Sequence, residues 1–204
     1  HASMVTAGLQ HNQHVYVEKP LCLSREELLG IDQAHSESQG TIMVGFNRRF
    51  APVTQAIRLI LKDLPGPKTL SYHVFAGPLA PDHWYANLDE SGGRILGEGC
   101  HFLDFACYLL GEQPLRVSAQ TQGADSFIAQ VEFSAGSSFP LIYSAVGDFS
   151  FLKETFRLFA SGTVLECENF IKLTRFQNRK TSIRKFQSKG HEEEMTAWIS
   201  FLEG

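Results

Sequence analysis

Apolar positions recur along the chain with two different periods, and the change of period divides it. Over residues 1–12, Met4, Val5 and Leu9 fall at helical spacing. "HVYV" (14–17) is a short extended run, after which Ser24 and Glu27, three places apart, form a capping box. That box opens a helix to about Ser38 with Leu28, Leu29 and Ile31 as its apolar side, and Gly40 ends it. "TIMVGF" (41–46) is a second short strand. Helix, strand, helix, strand is the rhythm of a parallel α/β sheet. Two strands are too few to bury such a sheet on both faces, so further strands are expected to complete it.

After Phe50 the period becomes mostly that of strands. Pro52 suits the first turn of a helix through about Lys62, with Val53, Ile57, Ile60 and Leu61 facing inward. Alternation then predicts strands at 70–76, 115–121, 126–133, 139–145, 155–160, 163–167 and 170–176. The separators "SAGSS", "SGT" and "EN" read as hairpin turns. One helix is expected at about 94–110, and "EEEMTAWISFLEG" is an amphipathic helix at the end. The expected fold class is α/β plus α+β: part of a parallel sheet over 1–50, then an open, mainly antiparallel sheet with helices on one face over 51–204. The first helix starts without a cap and the last stops in mid-pattern, so the sequence is expected to be a piece of a longer chain.

Composition changes this picture little. With 204 residues, 43% of them hydrophobic, the chain can bury a sizeable core. A net charge of −4, with no basic stripe, argues against nucleic acid and against an anionic membrane surface as partners. Apolar runs fall short of the ~20 residues a spanning helix needs, and no export signal is visible. Cys22, Cys100, Cys107 and Cys167 form no C-x-x-C pair and read as buried, reduced thiols, which suits the cytoplasm.

Three stretches could carry chemistry. Glu18, Lys19 and Pro20 follow the first strand directly, where open α/β sheets bind ligands. Pro20 restricts Lys19 to extended backbone and so aims the ammonium. In "GGRILGEGCHFLDF" (92–105), a helix would set Glu98, His101 and Asp104 on one face, raising the imidazole pKa for acid or base work. A metal set is not expected, since one His with two carboxylates is poor for zinc. In "GFNRRF" (45–50), Asn47, Arg48 and Arg49 point to the same edge as Lys19, for substrate binding or to brace the two parts. His83 and Trp84 sit in a long loop able to cover a cleft.

"HVYVEKPL", "VGFNRRF" and "GGRILGEGCHFLD", in this order, resemble the glucose-fructose oxidoreductase / inositol dehydrogenase / MocA family (Gfo/Idh/MocA) over essentially the whole chain. The resemblance implies an N-terminal Rossmann half that binds NAD or NADP and a C-terminal half that shapes a pocket for a sugar-like substrate and often a dimer interface. It implies that Glu18, Lys19 and Pro20 lie at the cofactor, that Lys19 contacts nicotinamide ribose and substrate hydroxyl, and that His101 handles the proton. The family's usual Asp, four residues before the histidine, is Gly97 here, with Glu98 beside it. No G-x-G-x-x-G follows a strand in the sequence, so residues 1–50 are expected to be the second half of a Rossmann domain and the chain alone to turn over little or nothing. The other functional classes are a non-enzymatic dinucleotide or sugar sensor and a dimerisation module on the same fold.

Overall fold

A computed structural model describes residues 1–80, 83, 85, 87, 91–123 and 125–204. The first part holds α1 (Ala2–Gln10), β1 (Val15–Val17), α2 (Arg25–Ser36) and β2 (Ile42–Val44). β1 and β2 pair in parallel, Tyr16 opposite Met43. Ser24 caps α2 by accepting from Glu27 N–H at 3.1 Å, while the Glu27 carboxylate reaches back to Leu23 N–H at 2.7 Å. Val5, Leu9, Val17, Ile31 and Ala34 form a small core of their own. Met4, Leu28 and Leu29, expected to face inward, are instead exposed, because among the described residues nothing packs over that side.

A 3-10 turn at Asn47–Arg49 leads into α3 (Pro52–Leu61). The second part is built on one eight-stranded sheet: β3 (Thr69–Phe75), β4 (Pro114–Gln122), β5 (Ser126–Phe133), β6 (Ser138–Ser144), β7 (Glu154–Ala160), β8 (Thr163–Glu168), β9 (Lys172–Gln177) and β10 (Lys180–Lys185). Its order is β10-β9-β8-β7-β3-β6-β5-β4, antiparallel except where β3 lies parallel to β6. The three hairpins read from the sequence join β5 to β6, β7 to β8 and β8 to β9. β10 was not foreseen: "KTSIRK" is exposed throughout and lacks the apolar alternation that marks a half-buried strand.

One sheet face carries Leu70, Tyr72, Val74, Phe139, Phe156 and Leu158, and α3 and α4 (Cys100–Leu110) cover it with Val53, Ile57, Phe102 and Phe105. Phe105 stacks edge-on against both Tyr72 and Phe170 and tilts on Phe156. The helix expected at 94–110 is not one regular helix, because Ile95–Gly99 form a π turn before α4 begins. α5 (His191–Glu203) returns to the first part, where Trp198 packs on Tyr16 and Phe201 on His14. The expectation that this helix buries an apolar stripe is corrected: Ile199, Phe201 and Leu202 are exposed, and its one buried residue is Glu194. All four cysteines are free, Cys167 buried and the other three half-buried rather than buried.

Phe105 is fully buried in the centre of the aromatic cluster. Phe105→Ala is expected to remove about 3–5 kcal/mol of stability, read as a lower urea midpoint at unchanged slope.

Candidate active site

β1 and β2 end side by side, and the residues that follow them face the π turn and the start of α5 across a hollow of about 280 Å³. Glu18 and Lys19 contribute from the first strand end, Asn47 and Arg48 from the 3-10 turn, and Glu98 and His101 from the π turn and α4. Tyr85, Lys153, His191 and Glu194 complete the wall. Lys19 and His101, remote in sequence, thus line one cavity. The Lys19–Pro20 peptide is cis, and the Lys19 ammonium donates to the Gly97 carbonyl at 2.8 Å.

Gly97 stands where the resemblance leads one to expect Asp, and the structure shows what fills that space. A Cβ at Gly97 would lie 2.4 Å from the Tyr85 ring. Tyr85 therefore occupies the volume a side chain would need, and burial, then Glu98, push its phenol up to about 12. His83 stacks on the Tyr85 ring with centroids 5.7 Å apart, behind the wall rather than on it. Trp84 lies outside the described residues.

Arg48 is committed to structure. Its guanidinium donates to both oxygens of Glu154, at 2.8 and 2.6 Å, and also to the His101 Nε2. Glu154 is 1% exposed and accepts further bonds from Tyr72 at 2.8 Å and Lys189 at 3.3 Å. Burial alone would raise this carboxyl, but the charge and hydrogen bonds of Arg48, with Lys189 and Tyr72, bring it down to about 2. Asn47 ties the same region to α5 by donating to the Lys189 carbonyl at 2.8 Å.

The electrostatics of His101 differ from the expectation. Flanking carboxylates were to raise its pKa; instead it is lowered to about 2, first by burial, then by Arg48 and Lys19. The regular helix that would have set Glu98, His101 and Asp104 on one face is interrupted by the π turn, and Asp104 is taken by Arg49 in a two-pronged ion pair. Neither Arg49 nor Asp104 lines the hollow. A guanidinium has only donors, so Nε2 carries the lone pair and the proton of the neutral ring sits on Nδ1. That N–H is buried without a partner among the described residues.

Glu194 is the residue that sequence reading missed. It is 2% exposed, lines the hollow, and accepts a hydrogen bond on Oε2 from Tyr16 at 3.1 Å. Tyr16 also contacts Glu18 at 3.4 Å, and burial together with both carboxylates drives its phenol well up. Burial, then Glu18 and Asp104, raise the Glu194 carboxyl to about 7 against the opposing bond from Tyr16. Among the described residues no group of three or more His, Cys, Asp or Glu is placed to hold a metal.

His101 and Glu194 have opposite effects on stability in mild acid. Unfolded, the imidazole takes up its proton near 6.5; folded, only near 2, so its contribution is lost as pH falls below 6.5. Glu194 protonates near 7 when folded and near 4.5 when unfolded, so its contribution grows as pH falls between those values. Each amounts to at most about 1.4 kcal/mol per pH unit. Between about pH 6.5 and 4.5 the two offset. Urea unfolding at several pH values in that range should show His101→Gln gaining stability relative to wild type on acidification and Glu194→Gln losing it.

Residues 68–153 match the model of the GFO/IDH/MocA C-terminal domain. Inositol 2-dehydrogenase of Rhizobium meliloti is 32% identical over 120 residues, 58% of this chain and 36% of that protein. D-xylose 1-dehydrogenase (NADP(+)) 2 of Haloferax volcanii is 30% identical over 146 residues, 68% of this chain and 45% of that protein. The chain thus spans less than half the length of these curated relatives. In fold it is similar to the aldose-aldose oxidoreductase of Caulobacter crescentus, with a TM-score of 0.85 at 17% identity over 100% of this chain and 66% of that one. An inositol dehydrogenase homologue from Azotobacter vinelandii, solved with NAD+, aligns at a TM-score of 0.81 and 17% identity over 93% of this chain and 56% of that one. With its E-K-P strand end, its histidine on α4 and its open eight-stranded sheet, the chain belongs to the Gfo/Idh/MocA family.

Proposed function

We propose that the chain is part of an NAD(P)-dependent oxidoreductase that moves hydride between nicotinamide and a carbinol carbon of a sugar, nucleotide sugar or cyclic polyol. Residues 1–50 would be the C-terminal part of the dinucleotide-binding domain and 51–204 the substrate and dimerisation domain, a division supported by two separate apolar cores. The observation that carries the reading is the meeting of Lys19, Glu98 and His101 in one hollow at the strand ends. The names of the relatives, inositol and xylose dehydrogenases among them, point to the same substrate class. Four free cysteines fit a reducing, cytoplasmic setting.

Glu18, Lys19 and Pro20 would hold the nicotinamide end of the cofactor, since a carboxylate and an ammonium at a strand end suit ribose hydroxyls. The sequence holds no G-x-G-x-x-G for the pyrophosphate. When bound, the dinucleotide supplies the hydride acceptor or donor. Lys19 donates to the substrate hydroxyl oxygen and stabilises negative charge there as the O–H proton leaves. Neutral His101, its lone pair held by Arg48, orients the substrate as a donor through Nδ1. Glu98 takes the proton, the one transfer in this set that does not displace Arg48. Asn47 and Arg48 fix the floor of the site.

We further propose a homodimer through the open sheet face. The strand register gathers Ile128, Ile142, Phe159, Phe176 and Ile183 there, each at least 40% exposed. Light scattering should give twice the chain mass, and Ile142→Asp should halve it. For the reaction, the chain alone is expected to show little turnover, and fusion to the nucleotide-binding half of a curated relative should restore NAD(P)-linked oxidation of a polyol. In that fusion Lys19→Ala and Glu98→Gln should lower kcat about 10²–10⁴-fold. Turnover untouched by both substitutions would overturn the reading.

A further inference from the structure

Among the described residues the hollow contains one carboxyl oxygen that is fully buried and bonded to nothing: Glu194 Oε1. Its partner oxygen is engaged by Tyr16, so the side chain is held in place with one oxygen left over. A buried acceptor without a bond is destabilising, and a charged one more so. Structural duty to Tyr16 does not require this, because Tyr16 already has Glu18 within 3.4 Å. A group that pays such a penalty at the wall of a ligand cavity is satisfied when the ligand arrives.

We propose that Glu194 is a specificity-determining residue of this hollow, binding a hydroxyl of a neutral sugar or polyol and disfavouring the corresponding sugar acid; the inference rests on the sugar-oxidoreductase reading above. The charged and titratable groups around it define the selection. Tyr16, Glu18 and Lys19 come from β1 and its end, Arg48 from the 3-10 turn, Glu98 and His101 from the π turn and α4, Lys153 from the residue before β7 and His191 from its own helix, with Asp104 acting from behind the wall. Arg48 is spent on Glu154 and the Lys19 ammonium is held by the Gly97 carbonyl, while the Tyr16 hydroxyl, within reach of both carboxylates, keeps Glu18 beside Glu194. A hydroxyl can donate to Glu194 when it is ionised and accept from it when it is protonated. A substrate carboxylate can only accept, and meets repulsion from Glu18 in either state.

The test is equilibrium binding of D-glucose and D-glucuronate, which differ at one carbon, to the 204-residue chain by saturation-transfer NMR. This readout needs neither cofactor nor turnover. Wild type is expected to prefer glucose. Glu194→Leu should weaken glucose about 10-fold, and Glu194→Gln, which keeps shape and hydrogen bonding but not charge, should retain glucose and narrow its preference over glucuronate. Lys19→Ala should weaken glucose binding, which locates the sugar in the hollow. Identical binding of both sugars by wild type, Glu194→Leu and Glu194→Gln would overturn the role of Glu194 and leave the sugar reading standing. Failure of wild type to bind either sugar, or binding indifferent to Lys19→Ala, would overturn both.

Discussion

A carboxylate with 1% exposure is stable only if its surroundings replace the water it has lost, and Glu154 is surrounded on every side. Arg48 meets it with two prongs, Tyr72 comes from the centre of the sheet, and Lys189 from the segment before α5. These partners belong to three different stretches of chain. The pair therefore does more than offset its own desolvation: it pins the 3-10 turn after β2 and the approach to α5 against the large sheet. Removing one partner of such a buried pair typically costs about 3–5 kcal/mol, because the other charge is left behind. The hollow lies directly over this anchor, and its floor is as rigid as the anchor makes it.

The anchor also sets the chemistry above it. Arg48 is the cation nearest to His101, and its spare N–H fixes which imidazole nitrogen keeps its lone pair. A histidine held this way stays neutral, and its buried Nδ1–H is left without a partner among the described residues. Glu98, on the π turn, escapes the same constraint. The π turn displaces it from the regular helical stack and sets it in the wall with Lys19, whose ammonium is steadied by the Gly97 carbonyl. Tyr85 packs on Gly97 and closes the gap left by the absent side chain.

Much of this was legible in the sequence. Period-two alternation located seven of the strands, and the capping box at Ser24 located the start of α2, which ends two residues before the expected Ser38. The rule that ligands gather beyond strand ends in open α/β sheets pointed to Lys19, while its convergence with His101 was implied only by the family resemblance. The π turn was not legible, because a single added residue leaves no trace in a pattern of apolar spacing. Gly190 was equally silent: its φ of +98° and a would-be Cβ only 2.1 Å from the Asn47 carbonyl show that α5 starts hard against the 3-10 turn. That is a contact between distant segments, and spacing carries no information about it. Glu154 did leave a signal. It shares the phase of Phe156, Leu158 and Ala160 in β7, and a charge at a core position of a strand requires a buried partner.

Glu194 shows the same logic on a helix. Its neighbours Met195, Ile199 and Leu202 suggest an apolar face, yet they are exposed while the acid is buried. The inversion follows from where α5 docks. Its first turns lie against the 3-10 turn and the polar ends of β1 and β2, where the available surface is Tyr16, Glu18 and the hollow rather than a greasy groove. A helix that packs on a polar wall buries the side chain that can hydrogen-bond to it, and hydrophobic periodicity is then the wrong guide to its buried face. The positions most informative about function in this chain, Glu154 and Glu194, are accordingly those where charge replaces an expected apolar side chain and is held by partners brought together only by the fold.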